Sequence, residues 1–312
     1  MESQRSYFAK ALVDLGHRNP DVVVVGADTT ESIKTLEFGT AFPDRFFNVG
    51  IAEPNMMSIA AGLAAAGKIA FAATYSVFGT GHVYNVIRQN VAYPRLNVKI
   101  FCSHAGLTTG PDGATHQMNE DIALMRGLPN MTVLVPVDAP ETAKCVYAAA
   151  ERAGPVYCRF SRTNFPTLTS DPNPFHIGRA TVMRDGNDVA IIACGIMVSL
   201  SLVAADELAR EGIRARVVNM STIKPLDVAA IGTAARETGA IVTAEEHTVV
   251  HGLGAAVANE VVQQYPVPMA FVGVDDVFGE SGEAYDLLEK YGLTAGQIAK
   301  RAREVVRRRS RR

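Results

Sequence analysis

The chain has no tryptophan, only four cysteines among 312 residues, and no apolar run long enough to cross a bilayer. Cys102, Cys145, Cys158 and Cys194 lack metal-ligand spacing, so they read as buried thiols of a cytoplasmic protein rather than as a zinc site or disulfide framework. The first residues, Met-Glu-Ser-Gln-Arg-Ser, are polar and lack the apolar stretch of a signal peptide. There is no internal repeat and no low-complexity segment beyond a basic C-terminus. The length allows one very large domain or two ordinary ones, and 48% apolar with 20% charged residues suits a globular chain with a substantial core.

Charge is unevenly spread. Residues 300–312 hold eight basic side chains and one acidic, a balance of +7 against a whole-chain charge of −2, so residues 1–299 carry −9. This stretch is expected to be a solvated, fraying helix end. It has neither the interleaved aromatic residues nor the recognisable module of a nucleic-acid binder.

The chain is organised around Gly50–Gly67. Glu53 precedes Pro54 and a small, apolar run from Asn55 to Gly67. Proline is tolerated in a first helical turn and disfavours helical geometry for the residue before it, so Glu53 is expected just outside the helix N-terminus. A carboxylate there can simply complement the helix dipole. Set against an apolar wall, it needs a partner.

Apolar strands alternate with helical patterns along the rest of the chain. Expected strands are 21–28, 45–49, 69–74, 96–102 and 131–135, then 188–193, 215–219, 240–244 and 269–274. Expected helices include 6–15, a continuous run from Tyr75 to about Tyr93, 119–128, 140–153, 197–211, 228–238 and 255–264. The proline-rich stretch Asn164–Phe175, with Pro166, Pro172 and Pro174, reads as a linker. The fold class is therefore α/β, as two doubly wound domains with mostly parallel sheets: residues 1–163, a linker at 164–177, residues 178–299, and a basic tail at 300–312.

Ligands in such sheets gather beyond the carboxyl ends of the strands. Asp28 and Ser32 stand there, although either can serve as a helix cap. Tyr75 and Phe78 sit three apart at a strand-to-helix turn, where aromatic pairs are commonly core. The loop after strand 96–102 holds His104, Asp112 and His116 among glycines and threonines, a density of polar groups typical of functional loops. Gly252-Leu253-Gly254 reads as a tight packing turn, since Glu245 and Glu246 disfavour an anion beside it.

With Glu53, the Tyr75/Phe78 turn and Asp112-Gly113-Ala114-Thr115-His116-Gln117 in view, residues 5 to 300 closely resemble the C-terminal half of a transketolase, in the form of the C-terminal subunit of a split enzyme: a pyrimidine-binding domain plus a transketolase C-terminal domain. The resemblance implies that Glu53 hydrogen-bonds the aminopyrimidine of thiamine diphosphate, that Tyr75 and Phe78 pack around that ring, and that Asp28 lies near the cofactor at a subunit interface. It implies that Asp112 and His116 contact the sugar near its reacting carbons, and that Arg5, Ser32 and His104 hold the substrate phosphate. Many transketolases carry an arginine of the phosphate clamp at the position of Val135, and a His or Gln at that of Pro54.

The family's Gly-Asp-Gly segment, which with a later Asn binds diphosphate and Mg²⁺, is missing from this sequence. The resemblance thus implies no metal ligands here, an N-terminal partner subunit that carries them, and an α₂β₂ assembly. The implied activity is transfer of a two-carbon ketol unit from a ketose or ketose phosphate to an aldose or aldose phosphate, with Glu53 and His116 catalytic and with no nucleic acid or membrane involved; the valine at 135 leaves open whether the sugars are phosphorylated. A 2-oxo acid dehydrogenase E1 β subunit and a deoxyxylulose-phosphate synthase fragment are the competing readings; the Asp-Gly-Ala-Thr-His-Gln loop favours transketolase over the first.

Overall fold

A computed structural model describes residues 1–170 and 175–309. The first half contributes strands β1 (Val22–Gly26), β2 (Phe46–Asn48), β3 (Ile69–Tyr75), β4 (Val98–Ser103), β5 (Thr132–Leu134) and β6 (Val156–Arg159). The second contributes β7 (Thr181–Arg184), β8 (Val189–Ala193), β9 (Ala215–Asn219), β10 (Thr222–Lys224), β11 (Ile241–Thr248) and β12 (Met269–Val274). They form two mostly parallel sheets, ordered β10-β5-β6-β4-β3-β1-β2 and β12-β11-β8-β9-β7.

β1 is the run Val-Val-Val-Val-Gly, buried at every position as a strand covered on both faces must be. It pairs in parallel with β3, Val22 opposite Ile69 through Gly26 opposite Ala73, and with β2 on its other side. Only the edges break the pattern: β7 runs antiparallel to β9, and β10 antiparallel to β5. β10 comes from the second half of the chain yet closes the first sheet, so the two halves share a sheet edge.

Three apolar layers follow. Helices Gln4–Arg18 and Ala139–Glu151 cover one face of the first sheet, with Phe8, Leu12, Cys145 and Val146 buried. Helices Met197–Arg210 and Ala295–Arg309 cover the outer face of the second. The middle layer is continuous between the sheets, from Met56 and Met57 of helix Glu53–Ala65 to Ile192, Met220 and Val257. Two buried carboxylates reinforce the junction. Asp138 accepts from the backbone N–H groups of Leu168 and Thr169 at 2.7 and 2.6 Å, and Glu141 accepts from Ser221 Oγ at 2.7 Å. Among the described residues no helix is long and apolar enough to cross a membrane.

Several expectations need correction. The helix expected over 75–93 is broken: Ser76–Gly79 ends at Thr80, which lies between two glycines at φ −130° and ψ −75°, and the chain resumes helically at Tyr84. Just past β1, around Ser32, the chain makes a short helical turn at Thr30–Ile33. β6, β7 and β10 were not anticipated. As far as Arg309 the basic stretch is docked helix rather than a solvated, fraying one. Helix Ala295–Arg309 runs through the boundary drawn at 299, buries Ile298, Ala299, Ala302 and Val305, and uses Arg309 Nη1 to donate to the carbonyls of Asp188 and Thr238 at 2.9 and 2.7 Å. Residues 310–312, and Pro172 and Pro174 of the expected linker, lie outside the described residues.

Candidate active site

A cleft of about 780 Å³ opens at the carboxyl ends of β1 and β3. Glu53 forms part of its wall. It is the first residue of helix Glu53–Ala65 and not, as expected, just outside it; Pro54 takes the second position, where its missing N–H costs nothing. Glu53 is 6% exposed, and no described residue hydrogen-bonds or ion-pairs with its carboxyl. Its carboxylate oxygens are not among the sealed, unpartnered polar atoms; they open onto the cleft, where a group from outside the chain can meet them.

Asp28 reaches the cleft because the backbone turns left-handed just past β1, at φ 61°. Asn48 holds it there, accepting from the Asp28 N–H at 2.9 Å and donating Nδ2 to Asp28 Oδ1 at 3.4 Å. Tyr75 ends β3, and its ring stacks with that of Phe78 at a centroid distance of 6.1 Å and an interplanar angle of 15°. His116 stands edge-on to Phe78 at 5.4 Å, with its Nδ1 2.9 Å from Thr115 Oγ1. Asp28, Glu53, Tyr75, Phe78 and His116 all line this one cleft, with Ile51, Val77 and Met118 as apolar neighbours.

Tyr75 joins the cleft to a second group of side chains. Its hydroxyl donates to Ser32 Oγ at 2.9 Å, and its ring lies on His104 at 3.7 Å, nearly parallel. Arg5 donates to the Ser32 carbonyl at 2.9 Å and to the Arg162 carbonyl at 3.2 Å, while its Nε finds no acceptor. Arg162 in turn lies 3.6 Å from the Asp112 carboxylate. All nine candidate residues thus belong to one connected site.

Electrostatics sets this end apart. Burial, then the charges of Arg5 and Arg162, push the His104 imidazole down to about 3, so it is a neutral group whose Nδ1 meets Ser103 Oγ at 2.6 Å. Burial, then the Arg162 charge, also lowers the pKa of Arg5. Two neighbouring cations that disfavour one another are relieved by an anion between them.

The position weighed for a clamp arginine needs correction. Val135 is buried under the second domain, with its N–H bonded to the Ser221 carbonyl, and does not face the cleft. The cation that does stand beside Arg5 is Arg162, three residues past β6. Sequence reasoning missed it because β6 itself was missed; a residue just beyond a strand's carboxyl end was the available signal. Pro54 is exposed on the helix surface. Gly252-Leu253-Gly254 is taken by the chain's own anion: Glu245 accepts from the Leu253 and Gly254 N–H groups at 2.6 and 2.8 Å.

Comparison with known proteins agrees with this arrangement. Residues 3–167 match the model of the transketolase pyrimidine-binding domain and residues 178–298 that of the transketolase C-terminal domain. A putative transketolase C-terminal section of Methanocaldococcus jannaschii is 42% identical over 98% of this chain and 97% of its own length. The 6-deoxy-6-sulfo-D-fructose transketolase subunit SqwH of a Clostridium species is 40% identical over 98% and 95%. A solved structure of a split-gene transketolase, described as an inactive β4 tetramer, superposes with a TM-score of 0.92 at 51% identity, covering 97% of this chain and 98% of that one. The chain therefore belongs to the transketolase family, as a C-terminal section with both domains, and membership implies dependence on thiamine diphosphate for the family in general.

Proposed function

We propose that this chain is the C-terminal subunit of a two-chain transketolase, active only with an N-terminal partner, which moves a two-carbon ketol unit from a ketose phosphate to an aldose phosphate. The observation that carries the reading is Glu53: a residue buried at the head of an apolar helix, its carboxyl facing a cleft with a stacked aromatic pair and bonded to none of the described residues.

The cleft suits the pyrimidine half of thiamine diphosphate. Its apolar and aromatic walls match a flat ring, and Glu53, at the head of the helix, presents a carboxyl that can hydrogen-bond a ring nitrogen. Bound thiamine diphosphate supplies the nucleophilic carbon and the electron sink. The chain's own residues do the rest. Glu53 fixes the protonation of the ring, Tyr75 and Phe78 hold its plane, and Asp28 stands at the cleft mouth. His116, with Asp112, gives or takes a proton at a sugar hydroxyl or carbonyl oxygen. Arg5, Arg162, Ser32 and neutral His104 receive the phosphate at the far end of the sugar, with two cations to match its charge.

The diphosphate and Mg²⁺ are assigned to the partner subunit, because the sequence carries no Gly-Asp-Gly segment. The description of a close relative's β4 tetramer as inactive supports dependence on that partner. We assign the pair an α₂β₂ assembly, with each cofactor between two chains. The test is ketol transfer in a mixture with an N-terminal, diphosphate-binding transketolase subunit, using wild type and Glu53→Ala. Transfer by the mixture alone, lost in the variant, supports the proposal; equal turnover by the variant contradicts it.

A further inference from the structure

None of the residues lining the cleft comes from the second domain. That domain nevertheless reaches the loop behind the site, with residues 281–284 packed on Gly110 and Gly113 and with one side chain that bonds into the loop. Glu246, near the end of β11, accepts at Oε1 from the backbone N–H of Thr108 at 2.7 Å. Thr108 lies inside the loop that follows β4 and carries both His104 and Asp112. We infer that Glu246 is a positioning residue, holding the phosphate-facing loop His104–Asp112 in place from the neighbouring domain.

Three further features bear on it. Gly106 has φ 78°, and a Cβ there would run into the Glu246 carboxylate, so the backbone is shaped to admit that group. Glu246 is itself fixed: its carbonyl accepts from Arg159 Nη2 at 3.0 Å, and Arg159 is paired with Asp121, which also accepts from the Tyr157 hydroxyl. Finally, the contacts of Thr108 and Thr109 lead directly to the site. Thr109 Oγ1 donates to the His104 carbonyl at 2.7 Å, Arg162 Nη1 donates to the Thr109 carbonyl at 2.7 Å, and Thr163 Oγ1 donates to the Thr108 carbonyl at 3.1 Å. The loop is therefore held on one side by the residues after β6 and on the other by the second domain, where residues 281–284 pack on Gly110 and Gly113 and Glu246 supplies the hydrogen bond to Thr108. Burial raises the Glu246 carboxyl to about 7, against the pull of Arg159 and the Thr108 N–H. So costly a placement is consistent with a role beyond filling space.

The inference deepens the proposed function, and its test has one arm that does not depend on it. In the chain alone, Glu246→Ala is expected to speed amide hydrogen exchange in 104–112 by about tenfold or more, as the Thr108 N–H loses its acceptor, while Glu246→Gln, which keeps an acceptor oxygen, stays near wild type. In the mixture with the diphosphate-binding chain, Glu246→Ala is expected to raise KM for a ketose phosphate about tenfold with a smaller change in kcat, and Gln to restore it. Unchanged exchange in the Ala variant overturns the inference. Equal losses in Ala and Gln accompanied by a lowered Tm also overturn it, because the residue is then merely structural. If the wild-type mixture shows no ketol transfer, the proposed function falls, and the exchange arm still decides whether Glu246 holds the loop.

Discussion

The Glu53 carboxyl makes no hydrogen bond to any described residue, and that has consequences for stability as well as for activity. A carboxyl kept buried for a ligand costs stability in the free protein. Glu53→Gln is thus expected to leave Tm unchanged or raise it by about 2–4 °C, roughly 1 kcal/mol for a domain of this size, while ketol transfer falls about 10²-fold or more. Calorimetry of the free chain checks the first part; a loss of stability would make Glu53 a structural residue. His104 gives a prediction in pH. Its folded pKa of about 3 lies below the unfolded value near 6.5, so the folded chain binds fewer protons between those limits. Its contribution to stability is full above pH 6.5 and is lost progressively as pH falls toward 3. NMR should show a His104 ring that does not titrate between pH 8 and 5, and His104→Gln should flatten the fall in Tm over that acid range. At Arg162, removal of the charge by Arg162→Gln is expected to raise KM for a ketose phosphate by about 10- to 100-fold, the 1.5–3 kcal/mol of a charge-assisted bond. An unphosphorylated ketose should feel little of this, and equal effects on both would remove Arg162 from the anion site.

Among the elements, the C-terminal helix departs furthest from its expected behaviour. Its arginines suggested solvent, yet Ile298, Ala299, Ala302 and Val305 recur at helical spacing and are buried, while Arg309 is turned onto two backbone carbonyls. Val305→Ala is expected to lower unfolding free energy by about 2 kcal/mol in urea titration, and an unchanged midpoint would mean the helix is not docked. The apolar run of β1 and the small-residue helix behind Glu53 were legible because each is set by local composition: an unbroken valine run for a strand buried on both faces, and a proline that marks a helix start. β6 was not legible. Its four residues include Tyr157 and Arg159, and a strand with those side chains fully buried makes sense only with Asp121, 38 residues from Arg159, accepting from both. Missing β6 hid Arg162 beyond its end. The break at Thr80 was hidden for the opposite reason, since the residues on either side keep helical patterning and only the paired glycines mark the interruption. Candidate residues that sit next to their own strand ends were therefore readable, and those fixed by long-range pairing were not.

At the level of the whole molecule, two sheets share an edge through β10 and a continuous apolar layer, so the second domain is built into the platform that carries the site. The platform bears the cleft proposed to take a ring and, around Arg5 and Arg162, the end proposed to take an anion. The residues that would grip a diphosphate and its metal are assigned to another chain. The account therefore stands or falls on thiamine diphosphate binding, measured by calorimetry with Mg²⁺ on this chain alone and then with an N-terminal, diphosphate-binding transketolase subunit. The prediction is no measurable heat for the chain alone and micromolar binding, about −8 kcal/mol, for the pair. Binding of that strength by this chain alone would contradict the account, since it would place a complete cofactor site where only half of one has been assigned.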